Sequence, residues 1–121
     1  NKYIKGKLEF TFTPHLSPMF RGILSTIYVD LSKGKTINGL YNELIKFYKN
    51  SNFVNVVNLN SLLSTNNVIN TNNCEISVCK SKYKNKAIIL SSIDNLIKGG
   101  AGQAIQNMNI LKNFEEHEGL R

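Results

Sequence analysis

From Tyr3 to Thr13 the chain alternates, with Leu8, Phe10 and Phe12 separated by Glu9, Thr11 and Thr13, a period of two that predicts a half-buried strand. Pro14 and Pro18 then bracket a stiff bend, Pro14-His15-Leu16-Ser17-Pro18, in which neither proline can donate to a sheet ladder. Ile23, Thr26, Ile27, Tyr28 and Val29 predict a second strand over 21–31. After the loop Ser32-Lys33-Gly34-Lys35, Thr36 stands where a helix cap is needed. Ile37, Leu40, Tyr41, Leu44, Ile45 and Tyr48 follow at three- and four-residue steps, the stripe of an amphipathic helix. Lys46 and Lys49 suit the negative end of its dipole, and Asn50-Ser51-Asn52 ends it.

A short strand is expected over 53–57, then an Asn/Ser/Thr-rich connection over 58–73. So long a loop in so small a domain signals function or mobility. Two strands, 74–79 and 87–91, are joined by the basic turn Lys80 to Lys86 as a hairpin. A closing helix is expected from about Gly100 to Leu111, with Ala101, Ala104, Ile105, Met108 and Leu111 on one face. The order β-β-α-β-β-β-α predicts an α+β fold, a mostly antiparallel mixed sheet with helices packed on one face.

Length changes this picture little: 121 residues make one domain with one core. No apolar run approaches the ~20 residues that span a bilayer, so a membrane-spanning protein is not expected. Charge adds more, because 15 Lys+Arg against 8 Asp+Glu leave +7. That balance points to an anionic partner, yet nearly all of it is Lys, and Arg21 and Arg121 are the only guanidinium forks. Lys, Asn and Ile are abundant together, as AT-rich codon usage would give, so the expectation is a solvated basic surface without specific nucleic-acid binding.

Cys74 and Cys79 are separated by an odd number of strand positions and so face opposite ways, which excludes a bridge between them. They match no metal spacing, no metal is expected, and both thiols are expected to be buried in a reducing, cytoplasmic setting. Gly99-Gly100-Ala101-Gly102 at a helix start offers close approach to a ligand or to another element. It is neither a G-x-G-x-x-G fingerprint nor a phosphate-cradling loop. His15 and Arg21, one on the proline bend and one just after it, could orient an acidic substrate. No carboxylate pair and no Ser-His-Asp set emerges.

Three blocks carry a resemblance. Phe12-Thr13-Pro14-His15-Leu16-Ser17-Pro18-Met19-Phe20-Arg21-Gly22-Ile23-Leu24-Ser25-Thr26-Ile27-Tyr28, then Asn72-Asn73-Cys74-Glu75-Ile76, then the stretch from Ser92 to Asn109 fall in one order. Together they resemble the C-terminal part of the N-acetyl-γ-glutamyl-phosphate reductase family, and Glu116 to Leu120 resembles its ending. The resemblance implies a semialdehyde-dehydrogenase-type substrate and dimerisation domain over 1–98. It implies that 99–121 form a helix and tail returning to a Rossmann domain not included in this chain.

The implied whole enzyme reduces N-acetyl-γ-glutamyl phosphate to the semialdehyde through an enzyme thioester, with hydride from NADPH, in arginine biosynthesis. Its nucleophilic cysteine belongs to a Pro-Gly-Cys-Tyr motif that does not occur here, so no catalytic residue is expected in this chain. Substrate contacts are expected from Arg21 and His15, and cofactor contacts from Asn95, Gly99, Gly100, Gly102, Gln103 and Asn107. NADP would be bound mainly by the Rossmann part, and the expected partner is a second copy, in a dimer or tetramer. Rival readings are a small basic nucleic-acid module and a dimerisation domain without a catalytic role.

Overall fold

The computed structural model describes residues 9–121. The Tyr3–Leu8 part of the first expected strand lies outside the described residues. Glu9 to Phe20 forms no strand and is exposed throughout, with Phe10, Phe12, Leu16 and Phe20 all open to solvent. Among the described residues no strand pairs with this alternating stretch, so periodicity alone does not produce a sheet there.

Four strands form one mixed sheet. β1 (Ile23–Asp30), β2 (Val54–Val56), β3 (Cys74–Lys80) and β4 (Lys86–Ile93) lie in the order β1-β4-β3-β2. β4 runs antiparallel to both β1 and β3, while β2 is parallel to β3. The register aligns Ile27, Ile89 and Val78 across three strands, so the apolar positions of neighbouring strands share a face. Among the described residues the buried apolar side chains are Val78 and Ala87 in β3 and β4 and Phe53 and Val68 in the segments that precede β2 and β3. The far side of β3 is covered by the loop after β2: the amides of Val57 and Asn60 donate to the carbonyls of Ile76 and Val78, each at 2.9 Å. The Lys80 amide donates to Asn60 Oδ1 at 2.9 Å, so β3 is left with no bare edge there.

Helix α1 (Ile37–Tyr48) lies against β2 and β3, and Thr36 caps it as expected, its Oγ1 accepting from the Gly39 amide at 3.0 Å. Ile37, Leu40, Tyr41, Leu44 and Tyr48 are half-buried, whereas Ile45, expected on the same stripe, is exposed at its edge, and Phe47 points away. Thr36→Ala should lower stability by about 1 kcal/mol. Urea denaturation checks this, and an unchanged midpoint would mean that the cap bond contributes nothing.

Helix α2 (Gly102–Leu111) starts two residues later than its sequence pattern predicts. The intervening Ile97–Ala101 winds more widely, with Ala101 and Gly102 amides bonding to the carbonyls of Leu96 and Ile97, five residues back. Gly100, at φ −150° and ψ −110°, breaks the helix there. Single wide turns of this kind recur at functional sites.

The apolar face expected for α2 is the exposed one: Ala101, Ala104, Ile105, Met108 and Leu111 face solvent. The buried positions are instead Gly102, Gln106 and Asn109. Both cysteine thiols are half-buried rather than buried, and both are free. Among the described residues no helix is long and apolar enough to cross a membrane.

Candidate functional site

Where β4 ends, the chain makes a polar node. Asp94 is fully buried, and its side chain accepts five hydrogen bonds. Oδ1 accepts from Arg21 Nε at 3.0 Å and from the amides of Leu96 and Ile97 at 2.8 and 3.0 Å. Oδ2 accepts from Arg21 Nη2 and from the Asn70 amide, both at 2.8 Å. Burial pushes the Asp94 carboxyl pKa upward, but the Asn70 amide, Arg21 and the amides of Ile97 and Leu96 together hold it down at about 2. An Asp directly after a strand, bonding the amides two and three residues on, is an Asx turn, which tertiary donors complete here.

The linkage has a definite sign. A carboxylate depressed from 3.8 to about 2 stabilises the fold above the unfolded pKa and loses that contribution as pH falls through the folded one. The amount is roughly 2 kcal/mol. Denaturation of the wild type and of Asp94→Asn at pH 7 and near pH 2 measures it. The stability gap between them should close on acidification, and a gap independent of pH would refute the assignment.

A second node lies beside the first. Gln106 Oε1 accepts from Asn72 Nδ2 at 2.9 Å and Lys98 Nζ at 2.7 Å, while Gln106 Nε2 donates to Glu116 Oε1 at 2.6 Å. Asn52 Nδ2 donates to the other Glu116 oxygen at 2.8 Å, and Asn109 Nδ2 donates to the carbonyls of Glu116 and Glu118. Burial lowers the Lys98 pKa, and the charges of Cys74 and Glu116 oppose that shift. These amides tie α2 to the loop before β3 and to the C-terminal tail. Asn72 Oδ1, buried and without a partner, lies against the Cα of Gly102.

The glycines of the turn have different reasons for being there. A Cβ on Gly102 would meet Asn72 Oδ1 and would lie 2.6 Å from Ile97 Cγ2 and 2.8 Å from Ile97 O. That close approach is between two parts of this chain. Gly99 and Gly100 are exposed, and a Cβ there would meet only ordinary contacts, the nearest at 3.4 and 3.5 Å. The chain's own packing therefore does not require glycine at either position.

Of the residues singled out in the sequence, Arg21, Asn95, Gly99, Gly100 and Gly102 gather at this junction. Arg21 does aim its fork at a carboxylate, that of the chain's own Asp94. Asn95 Oδ1 accepts from the Gly22 amide at 2.8 Å. Gln103 and Asn107, one turn apart on α2, bond to each other at 3.0 Å on its outer side. His15 stands apart on the exposed bend, its Nδ1 3.2 Å from the Thr13 carbonyl oxygen. Among the described residues no group of three His, Cys, Asp or Glu could hold a metal ion. Asp94, Asn72, Gln106 and Lys98 are the residues that pattern reading passed over, because isolated polar residues carry no periodicity.

The geometry describes a scaffold domain: a sheet, a rigid polar junction and an outward-facing turn and helix. The two half-buried thiols lie beside hydroxyls, Cys74 Sγ 3.4 Å from Ser91 Oγ and Cys79 Sγ 3.6 Å from Ser77 Oγ. Residues 1–95 match the family model described as semialdehyde dehydrogenase, dimerisation domain, and the chain belongs to that family. It is also similar to proteins named N-acetyl-gamma-glutamyl-phosphate reductase. One from Clostridium botulinum (strain Alaska E43 / Type E3) is 50% identical over 94% of this chain and 33% of its own length. One from Clostridium beijerinckii is 52% identical over 96% and 34%, and one from Staphylococcus aureus (strain MRSA252) is 46% identical over 91% and 32%. The chain thus spans about a third of the length of the curated relatives it matches.

Proposed function

We propose that this chain is the scaffold part of a longer N-acetyl-γ-glutamyl-phosphate reductase, a cytoplasmic NADP-dependent enzyme of arginine formation that works as a homo-oligomer. The observation that supports this most is the alignment of nearly the whole chain, at 46–52% identity, with reductases three times its length. In this reading residues 1–98 supply the sheet for the substrate side and the subunit contact. Residues 99–121 return to the nucleotide-binding part.

A nicotinamide cofactor supplies the hydride when bound. Gly99 and Gly100 are exposed and carry no side chain, which would let a ligand approach the backbone there. In this reading the carboxamides of Asn95, Gln103 and Asn107 would hold the cofactor's polar edge, while Gly102 keeps the turn tight. His15, on the exposed bend, is the basic group on the acidic substrate's side, whereas the fork of Arg21, at the foot of β1, is taken up by the chain's own Asp94.

The test is the longer protein, purified and supplied with NADPH. It should oxidise NADPH on addition of N-acetyl-γ-glutamyl phosphate, and far less on addition of an unacetylated or aspartyl acyl phosphate. Equal rates with all three would remove the substrate assignment. No oxidation with any of them would remove the enzyme assignment.

A further inference from the structure

The geometry points to Asp94 as the residue that positions the cofactor-facing turn, with Arg21 acting through Asp94 rather than on a ligand directly. The inference rests on the reading that Asn95, Gly99 and Gly100 face a nicotinamide cofactor. The amides of Leu96 and Ile97 donate to Asp94 Oδ1, and the Gly99 amide donates to the Asp94 backbone carbonyl at 2.8 Å. Three amides within four residues are thus fixed to one side chain and its own carbonyl. Gly99 and Gly100, at the end of this fixed stretch, are exposed, and Asn95 within it is half-buried.

Asp94 is itself held from two other parts of the chain. Arg21 grips both carboxylate oxygens, and the Asn70 amide bonds to Oδ2. The next pair repeats the tie one residue on, with the Gly22 amide bonded to Asn95 Oδ1. Gly22 adopts φ +107°, and a Cβ there would lie 2.6 Å from Thr65 Cβ, so the backbone bends sharply to deliver both contacts. Two consecutive residues before β1 are therefore clamped to two consecutive residues after β4. Arg21 is 19% exposed and Asp94 is fully buried, so removing Arg21 leaves a buried carboxylate without its counter-charge. Loosening this clamp moves the outward-facing groups of the turn, and displacements of that kind change ligand affinity without removing a contact.

The experiment uses the full-length reductase carrying this segment, with Arg21→Gln, Arg21→Lys and Asp94→Asn. Thr36→Ala serves as a control that lowers stability away from the junction. In Arg21→Gln and Asp94→Asn the amides of Leu96, Ile97 and Gly99 should exchange with solvent roughly tenfold faster, and the Kd for NADPH, read by its fluorescence, should rise about tenfold. The KM for the acyl phosphate should stay within about twofold, and Arg21→Lys should recover part of both losses. Should Asp94→Asn not fold, the Arg21→Gln and Arg21→Lys pair gives the same comparison.

The inference is overturned if exchange quickens while NADPH binding holds, or if Thr36→Ala weakens NADPH equally. It is overturned too if the acyl phosphate KM rises with exchange unmoved, which would make Arg21 a direct substrate contact. A wild-type enzyme that binds no NADPH would instead remove the reading beneath it, and faster exchange in the variants would still register the clamp.

Discussion

Gly102→Ala should destabilise the chain by about 2 kcal/mol, and Gly102→Val by more, enough to detach α2 from the domain. The backbone of Gly102 is ordinary helix, at φ −63° and ψ −40°, so the loss does not come from its dihedrals. Alanine in that conformation would by itself help by up to ~1 kcal/mol. The opposing effect is larger, because the added carbon would sit 2.6 Å from Ile97 Cγ2 and 2.8 Å from Ile97 O and would also meet Asn72 Oδ1. None of these can yield cheaply. The Ile97 carbonyl accepts the Gly102 amide, and Asn72 is held by its bonds to Gln106 and to the Arg121 carbonyl.

Gly99→Ala is the comparison, since its nearest new contacts lie at 3.4 Å, an ordinary separation. It should shift stability by less than about 1 kcal/mol. Thermal and urea denaturation, with far-UV circular dichroism for the loss of α2, separate the two substitutions. Equal effects would mean that the packing around Gly102 is looser than the geometry shows.

The same junction shows what sequence pattern could and could not carry. The α1 stripe was legible because Ile37, Leu40, Tyr41, Leu44 and Tyr48 repeat with the helix, and Thr36 sits where an unpaired amide needs an acceptor. The β3–β4 hairpin was legible from two apolar runs on either side of a lysine-rich tip. Alternation from Tyr3 to Thr13 was misleading over its described part, where Phe10 and Phe12 stand open to solvent and no strand forms. For α2 the pattern identified a real apolar face but not its environment. Gln106 and Asn109 point into the chain, since the loop and tail beneath the helix offer carboxylates and carbonyls rather than apolar groups.

The carboxylate that organises the candidate site was not legible at all. Asp94 is one polar residue after a strand, and sequence shows only that it starts a turn. That Arg21, 73 positions earlier, would close on it follows from β1 pairing with β4, which aligns Ile23 with Ile93 and so brings the residues just outside the pair together. Long-range register, not local pattern, decides which charges meet.

The chain on its own should show no measurable reduction of N-acetyl-γ-glutamyl phosphate and no phosphate-dependent oxidation of the semialdehyde. Acyl transfer to an enzyme thiol requires a thiolate, and at neutral pH an unassisted cysteine supplies only a few per cent of it. Assistance would come from a base within hydrogen-bond reach. Cys74 Sγ has Ser91 Oγ at 3.4 Å, and Cys79 Sγ has the Ser61 carbonyl at 3.7 Å, neither of which can take a proton at neutral pH. His15 bonds to the Thr13 carbonyl on the exposed bend, and His117 lies in the C-terminal tail. In the longer enzyme Cys74→Ser and Cys79→Ser should therefore leave kcat/KM within about twofold, whereas loss of a true nucleophile costs several orders of magnitude. Turnover by the isolated chain that disappears in Cys74→Ser would show that the domain carries chemistry of its own. Turnover that survives both substitutions would point to a contaminating enzyme.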